Sequence, residues 1–296
     1  MPDHSHNHHI IDTKNSKLLL VAFFITLCFM VIELIAGIIG ESLTLIADSG
    51  HMFADSFAIL LSWFAINISK KPKDDARTFG YHRFQVIATF INGMSLLVLS
   101  IWIIYQAIYR IYVPDNTDGS ILFYVGIIGF GINCISLIIL RQGSVDDMNI
   151  KSAMIQVLSD LLGSLAAIIA GIIIIFTGFT IADPILSLFV SVLLLNATWR
   201  LISESCHILM EGSPKCLDMD IIKNEVSSIK EVKDIHHIHI WSLKHNKHYI
   251  TFHIKIDKIS ETHIILKKIK DILRDKFGIA HSTIQVEHRE CCDGEC

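Results

Sequence analysis

The stretch Leu45-Ile46-Ala47-Asp48-Ser49-Gly50-His51-Met52-Phe53-Ala54-Asp55 sets two carboxylates and an imidazole among apolar neighbours. Asp48, His51 and Asp55 stand at i, i+3 and i+7, so on a helix they share one face. Further along, Gln156 and Asp160 stand at i and i+4 in a second apolar run. A carboxylate near a bilayer centre costs about 2.5–3.5 kcal/mol to insert, and residues kept at that cost usually mark an ion pathway. One imidazole nitrogen, two carboxylate oxygens and a fourth ligand suit a tetrahedral Zn²⁺. His51, Asp55, Gln156 and Asp160 are therefore the expected ligands. Asp48, which can equally orient His51 or a backbone group, is a second-rank candidate. The plainer alternative is a set of hydrogen-bonded pairs that only hold helices together. Three carboxylates and an imidazole on two segments weigh against it.

The elements that must carry these residues are membrane spans. Of 296 residues, 52% are hydrophobic and 18% charged, and the mean hydropathy of +0.51 lies in the membrane class. Six apolar segments, near 17–39, 44–68, 84–111, 120–140, 153–176 and 180–202, are long enough to cross a bilayer. Lys70, Lys71, Lys73, Arg77 and Arg83 crowd the link after the second, and Arg141 and Lys151 flank the link after the fourth. Lys14 and Lys17 precede the first, whereas Arg110 stands almost alone at the opposite ends. The positive-inside rule then puts both termini in the cytoplasm. The opening MPDHSHNHHIIDTKNSK lacks the basic-then-apolar order of a cleaved signal, so the first run reads as a permanent span. The compact length, with no His-rich loop between the fourth and fifth spans, suits a bacterial inner membrane, with an organelle membrane as the alternative. A formal charge of −4, with no Lys/Arg cluster that reads as a nucleic-acid footprint, argues against a nucleic-acid partner.

From Glu204 onward charged residues become frequent, which divides the chain into a His-rich segment (1–16), a six-helix membrane domain (17–202) and a cytoplasmic domain (203–296). The last reads as αββαβ: helix at 218–230, strands at 234–243 and 248–257, helix at 261–277, strand at 282–288. The strands are expected to be antiparallel, in a small α+β layer that folds alone only marginally and gains from dimerisation. His236 and His253 fall on the first two strands; His281 and Glu287 bracket the third. Cys291, Cys292 and Cys296 crowd the end of the chain as soft thiolate ligands, and His4, His6, His8 and His9 form a flexible chelating segment. His237, His239, His245 and His248 read as ordinary strand or surface histidines.

The segment SLTLIADSGHMFAD at Ser42 to Asp55 resembles the second-helix motif of the cation diffusion facilitator family. FGYHRFQ at Phe79 to Gln85, Asn92-Gly93, Asp183-Pro184, MEGSP at Met210 to Pro214 and IHHIHIW at Ile235 to Trp241 extend the resemblance, in order, over nearly the whole chain. The nearest subgroup is that of zinc transport and cobalt–zinc–cadmium resistance. The resemblance implies a homodimeric antiporter that exchanges cytoplasmic metal for protons, with a metallochaperone-like cytoplasmic domain and no cofactor or enzymatic step. It implies cytoplasmic zinc sites at His236, His253, His281 and Glu287, and metal capture by the N-terminal histidines. The family's transport site pairs His-x-x-x-Asp on helix two with the same motif on helix five. His51 and Asp55 match the first; in the second, Gln156 replaces the His while Asp160 is kept. Glutamine offers a neutral oxygen and carries no proton near pH 7, so zinc binding is expected to weaken. Alternatives are selectivity shifted to Mn²⁺ or Fe²⁺, or a metal-binding subunit that transports nothing. An intramembrane metalloenzyme would need a motif such as His-Glu-x-x-His, which the sequence lacks.

Overall fold

The computed structural model describes residues 4–39, 43–113, 118–144, 146–244, 247–257 and 262–288, with side chains described except at 4–12, 33, 36–39, 43–51 and 54. Two compact units emerge, Met1–Ser205 and Cys206–Cys296.

The first unit contains six long helices, α1 (His4–Ile39), α2 (Leu43–Ser69), α3 (Arg83–Tyr112), α4 (Gly119–Leu140), α5 (Met148–Thr177) and α6 (Ala182–Leu209), the last running past the division. Five of them hold apolar stretches long enough to cross a membrane among the described residues, and α2 adds a shorter one at Asp55–Ser69. The protein is a six-helix integral membrane protein. Phe57, Ile138, Phe176 and Phe189 present large apolar surface outward, which lipid rather than water must solvate.

Local chemistry sets the helix limits. Asp147 starts α5 five residues earlier than hydropathy suggests, because its carboxylate accepts the Asn149 and Ile150 amides as an N-cap. Gly178 ends α5 in the left-handed conformation. No Pro or Gly interrupts the chain between His4 and Gly37, so the α1 backbone is helical from His4 rather than from the expected first span. The side chains of His4, His6, His8 and His9 lie outside the described residues.

Packing in this unit alternates apolar and polar contacts. Leu19, Ala22, Ile59, Ile66, Leu140, Ile150, Ala153 and Val157 form a buried core between α1, α2, α4 and α5. α4 and α5 pack closely along glycines: a Cβ added at Gly126 would stand 2.9 Å from Ile168 Cγ1 and 3.1 Å from the Ser164 carbonyl, and one at Gly171 would stand 2.8 Å from the Gly119 carbonyl. Small residues of this kind let membrane helices approach backbone to backbone. Asn92 Nδ2 on α3 donates to the Ala58 carbonyl (3.0 Å) and Ser62 Oγ (2.8 Å) on α2. Asn15 Nδ2 on α1 donates to Asp147 Oδ2 at 3.0 Å.

The second unit is built in the order α7 (Met219–Ser227), β1 (Val232–Lys244), β2 (Lys247–Ile256), α8 (Thr262–Phe277) and β3 (His281–Glu287), the expected αββαβ. The sheet order is β1-β2-β3. β1 and β2 are antiparallel, but β3 lies parallel to β2, which corrects the expectation of antiparallel strands throughout. A helical crossover such as α8 returns the chain to the end from which β2 started, and that geometry yields a parallel neighbour. Ile250, Phe252, Ile254 and Ile256 of β2 pack against Ile222 and Val226 of α7 and Ile265, Ile269 and Leu273 of α8. The opposite sheet face carries Tyr249, Thr251, His253 and Lys255. Between His236 and His239 the β1–β2 register slips by one residue, with His237 at φ 50°. This bulge allows Ile235 and Ile240, an odd number of residues apart, both to face the core.

Candidate metal centres

In the membrane unit, α2 is helical from Leu43 onward, so its backbone places Asp48, His51 and Asp55 on one face. The side chains of Asp48 and His51 lie outside the described residues. Asp55 is buried against α5, where Gln156, only 2% exposed, donates from Nε2 to Asp55 Oδ1. Gln156 Oε1 is buried with no hydrogen-bond partner among the described residues. Asp160, one turn beyond Gln156, is half-buried, and its carbonyl accepts Ser164 Oγ at 2.8 Å. Turning the Gln156 amide over would exchange donor for acceptor and present Oε1 where Nε2 now meets Asp55. The same side chain can therefore hold the carboxylate in one state and add an oxygen ligand beside it in another.

At the ends of this unit, Lys151 pairs with Glu204 and Arg110 lies 3.9 Å from Asp183. In the loop between α2 and α3, Asp74 accepts the Tyr81 hydroxyl and the Arg77 amide, each at 2.6 Å, and the Arg77 guanidinium lies 4.9 Å from the Tyr81 ring centre. The Tyr81 hydroxyl, and after it the Arg77 amide, hold the Asp74 carboxyl below its ordinary value.

The second unit brings together three residues from three strands. His236 and His253 are cross-strand partners, and Glu287 stands two residues beyond Gln285, the neighbour of His253. His236 Nε2 lies 3.2 Å from Glu287 Oε2, and His253 Nδ1 lies 3.0 Å from Glu287 Oε1. One ligand atom from each falls within 4.8 Å of the others. Two ligands at Zn²⁺ bond lengths of about 2.0–2.1 Å stand about 3.3 Å apart in a tetrahedron, so the trio needs little movement to close on an ion. Asp234 Oδ2 lies 3.0 Å from His236 Nδ1, the carboxylate–imidazole arrangement that fixes a ligand tautomer and leaves Nε2 for metal.

Two residues here were passed over in the sequence. Asp234 could have been found from its position two residues before His236, on the same strand face. His237 read as an ordinary strand histidine, yet the bulge stacks its ring on His253, centres 4.9 Å apart and planes 17° from parallel. His281 stands apart from this trio. It packs against Tyr249 with ring centres 5.1 Å apart, at the opposite end of β3, about 20 Å of extended chain from Glu287. Cys291, Cys292 and Cys296 lie outside the described residues, as does His245. His248 Nδ1 meets Ser242 Oγ at 2.8 Å, and its Nε2 is 3.8 Å from Cys216 Sγ.

Comparison with known proteins assigns both units. Residues 19–210 match the cation efflux transmembrane domain, and residues 214–289 match the cytoplasmic domain of cation efflux proteins. Zinc transporter ZitB of Escherichia coli is 38% identical over 298 aligned residues, covering 99% of this chain and 95% of its own. The cadmium, cobalt and zinc/H(+)-K(+) antiporter of Bacillus subtilis is 37% identical, covering 95% and 91%. The metal cation efflux system protein CzcD of Cupriavidus metallidurans is 36% identical, covering 97% and 90%. With both domains matched in order and relatives aligned nearly end to end, the chain belongs to the cation efflux, or cation diffusion facilitator, family.

Proposed function

We propose that the protein exports divalent metal cations, Zn²⁺ foremost, from the cytoplasm in exchange for protons. The observation that carries the reading is the burial of Asp55 against Gln156 across two apolar helices, with Asp160 one turn away, in a chain that matches cation efflux proteins over both domains. Relatives at 37–38% identity are named for zinc, or for cadmium, cobalt and zinc with H(+)-K(+) antiport, and one at 36% for metal cation efflux. Zn²⁺ is accordingly favoured over Mn²⁺ and Fe²⁺, despite the amide at position 156.

In this reading the cation binds His51, Asp55 and Asp160, with Gln156 Oε1 or water as the fourth ligand, and displaces protons from the site. Alternating exposure of a site near the midplane then releases the ion on the far side, where protons take its place. The excess of basic residues around the α2–α3 and α4–α5 loops favours cytoplasmic termini. His236, His253 and Glu287 hold a second Zn²⁺ in the cytoplasmic domain, oriented by Asp234, and Cys291, Cys292 and Cys296 add soft ligands near the chain's end. The family model for that domain, ZT_dimer, is named for a dimer, which favours a homodimer in lipid.

The test is uptake of Zn²⁺, Cd²⁺, Co²⁺, Mn²⁺ and Fe²⁺ into proteoliposomes under an imposed pH gradient. Zinc flux should follow the gradient, vanish in Asp55→Ala and rise in Gln156→His. Flux of Mn²⁺ or Fe²⁺ alone would overturn the choice of ion. Zinc binding without flux of any ion would reduce the protein to a metal-binding subunit.

A further inference from the structure

Buried hydroxyls in a membrane helix have a ready internal partner in the carbonyl four residues back. Thr26, Ser62, Thr89, Ser164 and Ser205 take it, at 2.8–3.1 Å. Another group does not. Ser56 Oγ, Ser136 Oγ, Ser152 Oγ, Gln156 Oε1 and both side-chain polar atoms of Asn149 are buried without a hydrogen-bond partner among the described residues. All five residues are at most 2% exposed.

Their positions are not scattered. Asn149, Ser152 and Gln156 follow one another on α5 at offsets of three and four, so they form a stripe on one face, about 10 Å long. Asp160 continues it by one turn. The adjoining face of α5, with Ile150, Ala153 and Val157, is packed into the apolar core. Ser56 follows Asp55 directly on α2. On α4, a Cβ at Gly129 would stand 3.0 Å from Ser164 Oγ of α5, and Ser136 lies two turns further along that helix. The stripe thus leads from the N-terminal end of α5, flanked by Arg141 and Lys151, to the Asp55–Gln156 contact.

Polar groups buried in a low-dielectric interior without protein partners persist where water or a ligand satisfies them. The chemistry of this stripe suits a hydrated cation. Asn149 supplies a donor and an acceptor, Ser152 a hydroxyl and Gln156 an acceptor, all able to exchange hydrogen bonds with a metal's water shell. None carries a charge, so none would trap a divalent ion before it reached the carboxylates.

We infer that Asn149, Ser152 and Gln156 form a hydrated file on α5, along which the divalent cation reaches Asp55 with part of its water shell retained. The inference rests on the export reading for the identity of its traveller, but water access along α5 is measurable without transport. Single cysteines replace Ser152, Asn149 and, as the dry control, Ala153, in the full-length protein reconstituted in liposomes. Each variant is first matched to wild type by size-exclusion elution. A membrane-impermeant cationic methanethiosulfonate is then applied, and peptide mass spectrometry separates each new thiol from the native ones. Ser152→Cys and Asn149→Cys should react at least tenfold faster than Ala153→Cys, and Zn²⁺ should slow both at least threefold. Equal rates at the three positions, or rates indifferent to Zn²⁺, would overturn the file even where zinc flux is intact. A fast, zinc-sensitive stripe in a protein that moves no zinc would keep the file and remove the exporter. Should one cysteine variant fail to fold, the other carries the same comparison. Ser152→Val gives an independent reading: initial zinc uptake should fall at least tenfold with equilibrium zinc binding unchanged, and an unaltered rate counts against the file.

Discussion

Replacing Glu287 with Gln tests the cytoplasmic trio most directly. The substitution keeps the size of the side chain but removes the anionic member, whose two oxygens lie 3.2 and 3.0 Å from His236 and His253. Zinc that binds only the folded unit stabilises it by mass action, by about 2.7 kcal/mol at a hundred times its Kd. For a domain the size of Cys206–Cys296, each kcal/mol moves the melting midpoint by about 4–8 °C. Zinc should therefore raise the midpoint by about 11–22 °C. Losing the carboxylate should weaken binding about a hundredfold, the upper end of what loss of an outer-shell partner costs. The same zinc then stands at the variant's Kd and adds about 0.4 kcal/mol, or about 2–3 °C. Without metal the difference should be much smaller, because partly exposed ion pairs contribute about 0–1 kcal/mol. In the full-length protein with Trp63, Trp102 and Trp199 replaced by Phe, the fluorescence of Trp241, within β1, reports the melt with and without zinc. A Glu287→Gln protein that keeps the wild-type zinc shift would refute the assignment of these three residues to a metal.

Asp234→Asn should leave the three ligands in place but weaken zinc binding about 10–100-fold, by releasing the His236 tautomer; competition with a chelating dye measures it. Gly126→Ala drives a methyl group into Ile168 and the Ser164 carbonyl, so thermal melting in detergent should show about 1–3 kcal/mol of destabilisation. In the α2–α3 loop, Asp74 has a lowered pKa, so the stabilisation it brings is complete above the ordinary aspartate range and disappears as pH falls through the lowered value. Hydrogen exchange at the Arg77 amide should follow that sign; in Asp74→Ala its protection should be lower and independent of this titration, because only the bond to the backbone carbonyl of residue 74 (3.2 Å) remains. Asn92→Ala removes two buried bonds between α3 and α2 and should cost about 1–2 kcal/mol in the same melting assay.

Much of the architecture was legible because bilayers and sheets impose simple periods. Hydropathy locates six helices, and offsets of three and four residues are enough to foresee that Asp55 and Gln156 could meet. What spacing cannot supply is direction: that the Gln156 amide offers nitrogen, not oxygen, to the carboxylate follows from packing across two helices. Helix limits shifted where a capping side chain outweighed hydropathy, as Asp147 does for α5. In the cytoplasmic domain, His236, His253 and Glu287 converge as the alternation of strand residues allows. His281 and Glu287 bracket the third strand as read, and the length of that strand keeps His281 apart from the trio. The parallel setting of β3 followed from α8, an element read correctly but not carried through to its topological result. The odd interval from Ile235 to Ile240 was the unread sign of the bulge that turns His237 towards His253.

The glycine seam between α4 and α5 bears on how the membrane unit can move. Helices whose backbones touch at Gly119, Gly126 and Gly171 cannot slide past each other without steric collision, so the pair should behave as a single stiff lever. Asp55 belongs to α2, outside that lever, whereas Gln156 and Asp160 ride on it. On the proposed transport site, the mechanical joint passes through the ion's position, and an ion held by both sides would act as a removable pin: in place it would couple the two bodies, and its departure would free one to swing against the other.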